Sequence, residues 1–198
     1  MSRPLLMTDT FEPKQELVDQ FVGAAHGDLG TVKALLVQNP AVLNRSASWG
    51  EVALGAAAQT GSLAIAEHLL AAGAPLDICT AAMLGRGETV AAMLPDEPGG
   101  ANATGAHGIP LLYHAVIGGH AEIAEMLLGH GADVNAGAGG SPALHGAVAF
   151  GRADMAEWLL HHGADPNILN HEQQTPLAVA LARDKPEMAT LLRTHGGA

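Results

Sequence analysis

Pairs of neighbouring apolar residues recur along the chain, and most are followed within a few residues by a glycine-containing turn. The segment Gly131-Ala132-Asp133-Val134-Asn135 returns as Gly163-Ala164-Asp165-Pro166-Asn167, and a weaker copy starts at Gly73. Self-similarity at a fixed offset is the sequence signature of a repeat architecture. The six apolar pairs are Leu35-Leu36, Leu69-Leu70, Met93-Leu94, Leu127-Leu128, Leu159-Leu160 and Leu191-Leu192.

Apolar positions within a repeat follow helical spacing twice. Leu144, Ala147 and Val148 lie at i, i+3 and i+4, on one face of a helix, and the residues after Gly151 repeat this spacing. Each unit is therefore predicted to be two short antiparallel helices joined by a tight turn at the glycine. Isolated helices below about 12–15 residues are marginal in water, so stacking must hold the units together.

A small residue or turn former marks the middle of every predicted unit. Successive markers lie about 33 residues apart in four of five intervals, and the remaining interval is about ten residues shorter. We therefore expect six units, with the third one shortened. The markers are Gly27, Gly61, Gly85, Gly119, Gly151 and Asp184.

Over residues 15–195 the chain resembles the ankyrin repeat, whose pattern is T-P-L-H-x-A-A-x-x-G-H, a later L-L and then G-A-D-x-N. The last unit carries the intact Thr175-Pro176-Leu177, and the fourth and fifth units carry partial copies from Leu112 and Leu144. The resemblance implies an all-α ankyrin-repeat solenoid in residues 14–198. Residues 1–13, which contain two prolines and several polar residues, are expected to be a mobile leader. The expected units are 14–46, 47–77, 78–103, 104–136, 137–169 and 170–198.

Several motif residues have physical roles of their own. Thr175 is suited to cap the first helix of its unit, followed by a proline that needs no N–H partner. Asp133 and Asp165 are suited to bond nearby backbone N–H groups in their turns. Pro110 and Pro142 sit one residue early in the pattern, so capping is expected to differ there.

The departures from the pattern predict local changes in shape. The third unit begins directly after residues 73–77, so we expect no projecting finger between the second and third units. Two prolines and a glycine pair make residues 95–100 an irregular loop, the expected place for a bend or a widened groove. Residues 38–40 and 184–186 replace repeat motifs in the end units, which is typical of caps.

Composition and charge restrict the class of function. The chain has 198 residues, with 20 acidic and 9 basic side chains and a formal net charge of −11, which opposes binding to nucleic acid or to an anionic membrane. The lone Cys79 excludes an internal disulfide, and no apolar run is long enough to span a membrane. We expect a cytoplasmic monomer without a cofactor.

Eleven histidines raise the question of a metal or acid–base site. His107 and His114 are expected to face the concave side, but the sequence places no carboxylate to orient either ring. Cys79 is expected to be a small buried thiol. An adventitious metal site on His130, His161 and His162 is the alternative to a structural role. Five histidines recur at repeat positions, where a structural hydrogen bond or an exposed helix end explains them: His26, His120, His130, His145 and His162.

The resemblance implies a non-catalytic module that binds another protein through finger loops and the concave face of the inner helices. Trp49, Phe150 and His114 are the expected energetic anchors, with a core position as the alternative for Phe150. Carried over position by position, the finger candidates are Ser48, Trp49, Glu51, His107, Gln173 and Gln174. The inner-helix candidates are Gln59, Thr60, His114, Ile117, Phe150 and Arg183.

Two other functions remain open at this point. One is a His-based or metal-dependent hydrolase on a repeat scaffold, although no nucleophile motif of the Gly-x-Ser-x-Gly kind occurs. The other is a purely structural role, such as a subunit or an immunity partner for a toxin. The Ala- and Gly-rich composition is similar to that of stand-alone bacterial repeat proteins.

Overall fold

The computed structural model describes residues 12–97 and 99–198; most of the expected leader, residues 1–11, lies outside them. In these ranges the chain forms twelve α-helices in antiparallel pairs, and its only bridges between extended residues are Ser46 with Val52 and Thr104 with Pro110. None of these helices is long and apolar enough to cross a membrane. The helices are α1 (Gln15–Ala24), α2 (Leu29–Gln38), α3 (Ala53–Gln59), α4 (Leu63–Ala71), α5 (Ile78–Met83), α6 (Gly87–Met93), α7 (Leu111–Gly118), α8 (Ala121–Gly129), α9 (Ala143–Phe150), α10 (Ala153–His161), α11 (Pro176–Ala182) and α12 (Pro186–Thr194).

The six helix pairs stack in a row and form two layers. Odd-numbered helices form the inner layer, in which each packs on the next, and even-numbered helices form the outer layer. The predicted pair residues Leu127 and Leu159 are fully buried between units. Two apolar clusters fill the stack and adjoin where Met83 and Ile117 reach toward the N-terminal units. The prediction of an all-α solenoid of six units with a shortened third unit is confirmed.

The shortened unit lacks a finger on its N-terminal side. Helix α4 ends at Ala71 and α5 begins at Ile78, so only a short linker joins the second and third units. Its last residue, Asp77, caps α5: Asp77 Oδ1 accepts from the Thr80 N–H at 2.8 Å, and Oδ2 accepts from the Thr80 hydroxyl at 2.7 Å. The linker thus ends directly in a helix cap, in agreement with the expected absence of a finger.

Capping follows the sequence pattern elsewhere too. Thr175 Oγ1 accepts from the Ala178 N–H at 3.2 Å, and Pro176 occupies the first helical position, as predicted. Pro110 and Pro142 stand at the N-caps of α7 and α9, where neither helix receives a side-chain cap. The early prolines therefore leave the first turns of both helices dependent on their neighbours.

Three asparagine side chains form a hydrogen-bonded ladder along the finger-side turns. Asn135 Nδ2 donates to Gly163 O at 3.2 Å, and Asn135 Oδ1 accepts from the Asp165 N–H at 2.8 Å. Asn102 makes the same two bonds to the turn at residues 131–133, and Asn167 makes them to residues 196–198. Each asparagine therefore ties one unit to the next, from the third unit to the sixth.

A second set of side chains covers the carbonyl groups at the ends of inner helices. His120 Nε2 bonds Met83 O at 3.1 Å, Arg152 Nε bonds Ile117 O at 3.0 Å, and Lys185 Nζ bonds Ala149 O at 3.1 Å. Helix ends leave carbonyl groups without partners in the helix, and these donors satisfy them from the following unit. In the third unit the corresponding residue instead pairs with an outer helix: Arg86 Nη2 contacts both oxygens of Glu67.

The asparagine ladder leads to a stability prediction. Asn135→Ala removes two hydrogen bonds between the fourth and fifth units, each worth about 0.5–1.5 kcal/mol, so we expect a loss of about 1–3 kcal/mol in unfolding free energy. Urea denaturation measures the change. Asn44→Ala, at an exposed asparagine outside the ladder, is the matched control and should cost well under half as much. Equal losses in both variants would contradict the ladder's role.

Candidate functional site

The finger at residues 46–52 is fastened to the first unit. Its bridge pairs Ser46 with Val52, and its tip residue Ser48 donates from its N–H to Asp19 Oδ1 at 2.7 Å and from its hydroxyl to Oδ2 at 2.8 Å. Hydrogen bonds from Gln15 and Ser48 lower the pKa of the Asp19 carboxyl below its usual value. The carboxylate on α1 therefore holds the 46–52 finger in one position.

Glu51 is a buried hub that joins two fingers. Its carboxylate accepts from Trp49 Nε1 at 2.9 Å and from Gln59 Nε2 at 2.6 Å, and it lies 3.4 Å from both His26 Nε2 and His107 Nε2. His107 belongs to the second finger, residues 104–110, so the carboxylate connects fingers of the second and fourth units. The network thus joins four predicted contact residues: Trp49, Glu51, Gln59 and His107. His26 also belongs to it, although the sequence analysis did not include His26 among the contact residues.

Glu51 itself is not available to a partner, which corrects its assignment as a contact residue. It is only 3% exposed, and its oxygens already face four side chains. Trp49 remains 46% exposed although its indole nitrogen is bonded. Glu51 thus holds the exposed indole ring of Trp49 in position at the finger.

Below the hub, a cleft occupies the place of the missing finger. It opens between the 46–52 and 104–110 fingers and has a volume of about 490 Å³. We call it the interfinger cleft; its lining includes Glu51, Asp77, Cys79, Glu97, Gly105 and His114. The shortened third unit predicted that no finger would project at this place, but the sequence did not indicate which side chains would line the cleft.

His114 lies deep in this cleft, which corrects the expectation of an exposed position on the inner helix. It is only 1% exposed, and neither ring nitrogen makes a well-aligned hydrogen bond among the described residues. Burial lowers the pKa of His114 to about 4, an effect partly offset by the negative charge of Asp77 and by the nearby backbone of Ala58. Register explains the error: Thr80 and Gly146, which stand equally far ahead of their turn glycines, are also buried.

Cys79 borders the same cleft and is a buried thiol, as predicted. Burial, with smaller effects of the Asp77 and Glu97 charges, raises its pKa, so the thiol stays protonated. A nucleophilic cysteine needs the thiolate form, usually stabilised by a protonated histidine. Burial shifts the pKa of Cys79 and that of His114 away from those forms, and the two side chains form a polar floor for the cleft.

A second depression, the inner-face groove, runs over α7, α9 and α11 with a volume of about 290 Å³. Exposed Arg183 and half-buried Gln174, both predicted contact residues, line it together with half-buried Tyr113, which the sequence analysis missed. His145 closes its floor, and Nε2 bonds Gln174 O at 2.9 Å. Burial lowers the pKa of His145 and raises that of Tyr113. The groove therefore has a neutral floor and, among the exposed residues that line it, the basic Arg183 and the acidic Glu172.

Ile117 and Phe150 close the turn end of the inner layer. Ile117 is 1% exposed, so it cannot contact a partner directly, and its assignment as a lining residue is wrong. Phe150 is partly exposed, but its ring lies against the turn of the second unit: a Cβ on Gly61 would stand 3.1 Å from Phe150 Cε1. One side of the Phe150 ring thus packs against the second unit, and the other side is exposed, so both alternatives for this residue apply in part.

Two further candidates occupy opposite environments. Thr60 is half-buried, and its hydroxyl donates to Ala56 O at 2.9 Å, so its polar group is already satisfied. Gln173 is exposed at the tip of the last finger, where its φ of 58° is unusual for a residue other than glycine. Only Gln173 of these two presents an accessible polar side chain.

The recurrent histidines make structural hydrogen bonds, as predicted. Each of the five has a ring nitrogen within hydrogen-bond distance of a backbone carbonyl: His26, His120, His130, His145 and His162. His161 also bonds a carbonyl, that of Glu157. Across residues 12–97 and 99–198, no group of three or more His, Cys, Asp or Glu side chains is arranged to hold a metal ion.

A family model described as ankyrin repeats, in three copies, matches residues 78–170. Residues 78–170 belong to the ankyrin repeat family. Ankyrin repeats are generally protein–protein interaction modules, and the family is typically non-enzymatic. No curated protein matches the chain significantly. The matched ankyrin segment contains α5–α10 and the 104–110 finger, and thus most of the interfinger cleft.

The buried imidazole leads to a prediction about pH. His114 is neutral in the folded protein, whereas the unfolded chain takes up a proton below pH 6.5, so stability is complete above that pH and falls toward pH 4. From this residue we expect a loss of about 2 kcal/mol between about pH 7 and pH 5. Urea denaturation of the wild type and of His114→Gln at several pH values measures this loss. The variant should lack the part of the pH dependence that comes from His114.

His145 shifts stability in the same direction, so the difference between wild type and variant is the informative quantity. His130→Gln, at an exposed histidine, is the control and should retain the full pH dependence. The same pH dependence in the wild type and in His114→Gln would contradict a neutral, buried His114.

Proposed function

We propose that this ankyrin repeat protein is a non-catalytic module that binds another protein through its finger loops and the face of its inner helices. The observation that carries the proposal is the inner-face groove, in which exposed Arg183 and half-buried Gln174 and Tyr113 surround an open depression over three inner helices. Clefts with an aromatic ring and a few placed polar groups are typical of recognition sites.

The finger loops supply the second half of the proposed surface. Trp49 offers an exposed ring whose indole N–H is already fixed by Glu51, so little side-chain freedom is lost on binding. Ser48, His107 and Gln173 are exposed beside it or on later fingers. Phe150 is 39% exposed and offers part of its ring to a partner, whereas Gln59 and Thr60 are half-buried and would contribute at the edge of the surface.

Two observations support a role without catalysis. The buried Cys79 thiol and the His114 imidazole are held in the protonated and neutral forms, respectively, which are unsuited to nucleophilic attack. The remaining buried polar groups serve structure, as His145 does through Gln174 O. The hydrolase alternative gains no support from any arrangement within the described ranges.

The proposed setting is cytoplasmic, and the proposed partner is a protein. A single buried thiol suits a reducing compartment. The net charge of −11 disfavours nucleic acid and anionic lipid surfaces as partners. We propose that the chain acts as a monomer, with its groove free for the partner.

A pair of arginine variants tests the proposed surface. Partners are first captured on the immobilised chain and identified by mass spectrometry, and their affinities are then measured by calorimetry. Arg183→Ala, on inner helix α11, should weaken binding by about 2 kcal/mol, as at an interface hot spot. Arg193→Ala, on outer helix α12, removes the same side chain from the opposite layer and should leave affinity unchanged. Equal effects of both variants would rule out the inner face.

A further inference from the structure

The inner-face groove contains an arginine that no acidic side chain of the described chain neutralises. Arg183 directly follows α11, lines the groove and is exposed. It takes part in none of the ion pairs within residues 12–97 and 99–198. A guanidinium presents its N–H donors as a planar fork that matches a carboxylate in shape. The Arg183 fork is therefore open to an anionic group from outside.

Tyr113 supplies a second donor in the same groove. Its ring lies against Gly146 of α9, where a Cβ would stand 2.7 Å from Tyr113 Cε2. Glycine weakens the interior of a helix, so its presence inside α9 is explained by the room that it leaves for this ring. The ring is thus held in one place, and its hydroxyl has no hydrogen-bond partner in the part of the chain that the structure describes.

Positive charge acts on the floor of the groove. Burial raises the pKa of Tyr113, and the charge of Arg183 opposes this effect, so the guanidinium lies within electrostatic reach of the hydroxyl. Burial lowers the pKa of His145, and the charge of a protonated His171 lowers it further. An anionic group that enters the groove would meet a favourable potential.

The acidic residues nearby do not cancel this charge at the floor. Glu172 lines the groove, but its carboxylate lies 3.8 Å from His171 Nε2 and is not among the charges that shift the pKa of Tyr113 or His145. Asp184 follows Arg183 in sequence but is not one of the described residues that line the groove. Salt screens charges beyond about 8 Å at physiological ionic strength, so Arg183 outweighs the distant acidic residues inside the groove.

From the unpaired guanidinium, the fixed hydroxyl and the positive floor, we infer that the inner-face groove receives the carboxylate of a glutamate or aspartate side chain on the partner protein. Arg183 donates two N–H bonds to this carboxylate, and the Tyr113 hydroxyl donates a third. The inference rests on the proposed function, since the carboxylate belongs to a protein that also contacts the fingers. A partner chain that continues beyond the groove in both directions presents a side chain there, and not its C-terminal carboxylate.

Titration with a small probe tests the inference without the partner. The chain has a single tyrosine, so carbon-13 labelling of tyrosine gives NMR ring signals that report on Tyr113 alone. N-acetyl-glutamate methylamide is added to the full chain. We expect saturable shifts of these signals with a weak dissociation constant, on the order of 1 mM for a single side chain. The isosteric glutamine derivative, which is neutral, should bind about tenfold more weakly or not at all.

Matched variants locate the binding. Arg183→Gln removes the guanidinium from the groove and should weaken binding of the glutamate probe at least about tenfold. Arg193→Gln makes the same change at an exposed arginine in the last turn of α12 and should leave binding unchanged.

Tyr113→Phe keeps the ring on Gly146 and removes only the hydroxyl, so it should weaken binding about two- to tenfold. In this variant the probe is followed through the Nε–H signal of Arg183. If Arg183→Gln fails to fold, as its NMR spectrum would reveal, Tyr113→Phe still decides.

Three results would overturn the inference: no saturable shift at Tyr113, equal binding of the glutamate and glutamine probes, or unchanged binding in either groove variant. Each leaves the proposed function intact, because a partner can contact Arg183 without placing a carboxylate on it, and the effect of Arg183→Ala on a captured partner is measured separately. Conversely, a failed partner experiment would not remove saturable binding of the glutamate probe. The two failures are therefore distinguishable.

Discussion

The structure depends on contacts between successive units, because no described helix is long enough to be stable by itself. The longest, α1 and α2, have ten residues each, below the length at which isolated helices persist in water. Apolar burial between neighbouring pairs supplies most of the stability, and the hydrogen bonds from one unit to the next fix the spacing. Asn135 on the finger side and Arg152 on the turn side show this division of work at one interface.

The junction between the second and third units has neither the asparagine ladder nor a side chain that covers an inner-helix carbonyl, and other contacts take their place. Asp77 caps its own helix at the point where the later units use an asparagine ladder, and Arg86 pairs with Glu67 on the outer layer instead of with an inner carbonyl. The Glu51 hub then spans the gap above, by way of His107. The loss of one finger thus created an acidic cleft without loosening the fingers that border it.

Much of the fold was predictable from sequence because its determinants are local. Turn glycines and capping residues act on backbone only a few positions away. From them follow the repeat period, the shortened unit, the Thr175 cap and the absent finger. The surface was less predictable, since burial depends on how units meet. Glu51, His114 and Ile117 read as surface residues in the repeat pattern, but all three are buried by neighbouring units. The contact of Phe150 with the second unit had no sequence signal, because it joins units that the repeat period keeps apart.

That contact has a mechanical consequence. In an ideal linear array each module is coupled to its immediate neighbours alone, so unfolding can start at one end and spread stepwise. Phe150 of the fifth unit packs against Gly61 of the second unit, which adds a contact across three junctions. This contact separates only if the three junctions move together. The middle of the array should behave as one cooperative block, stiffer toward bending than its terminal modules.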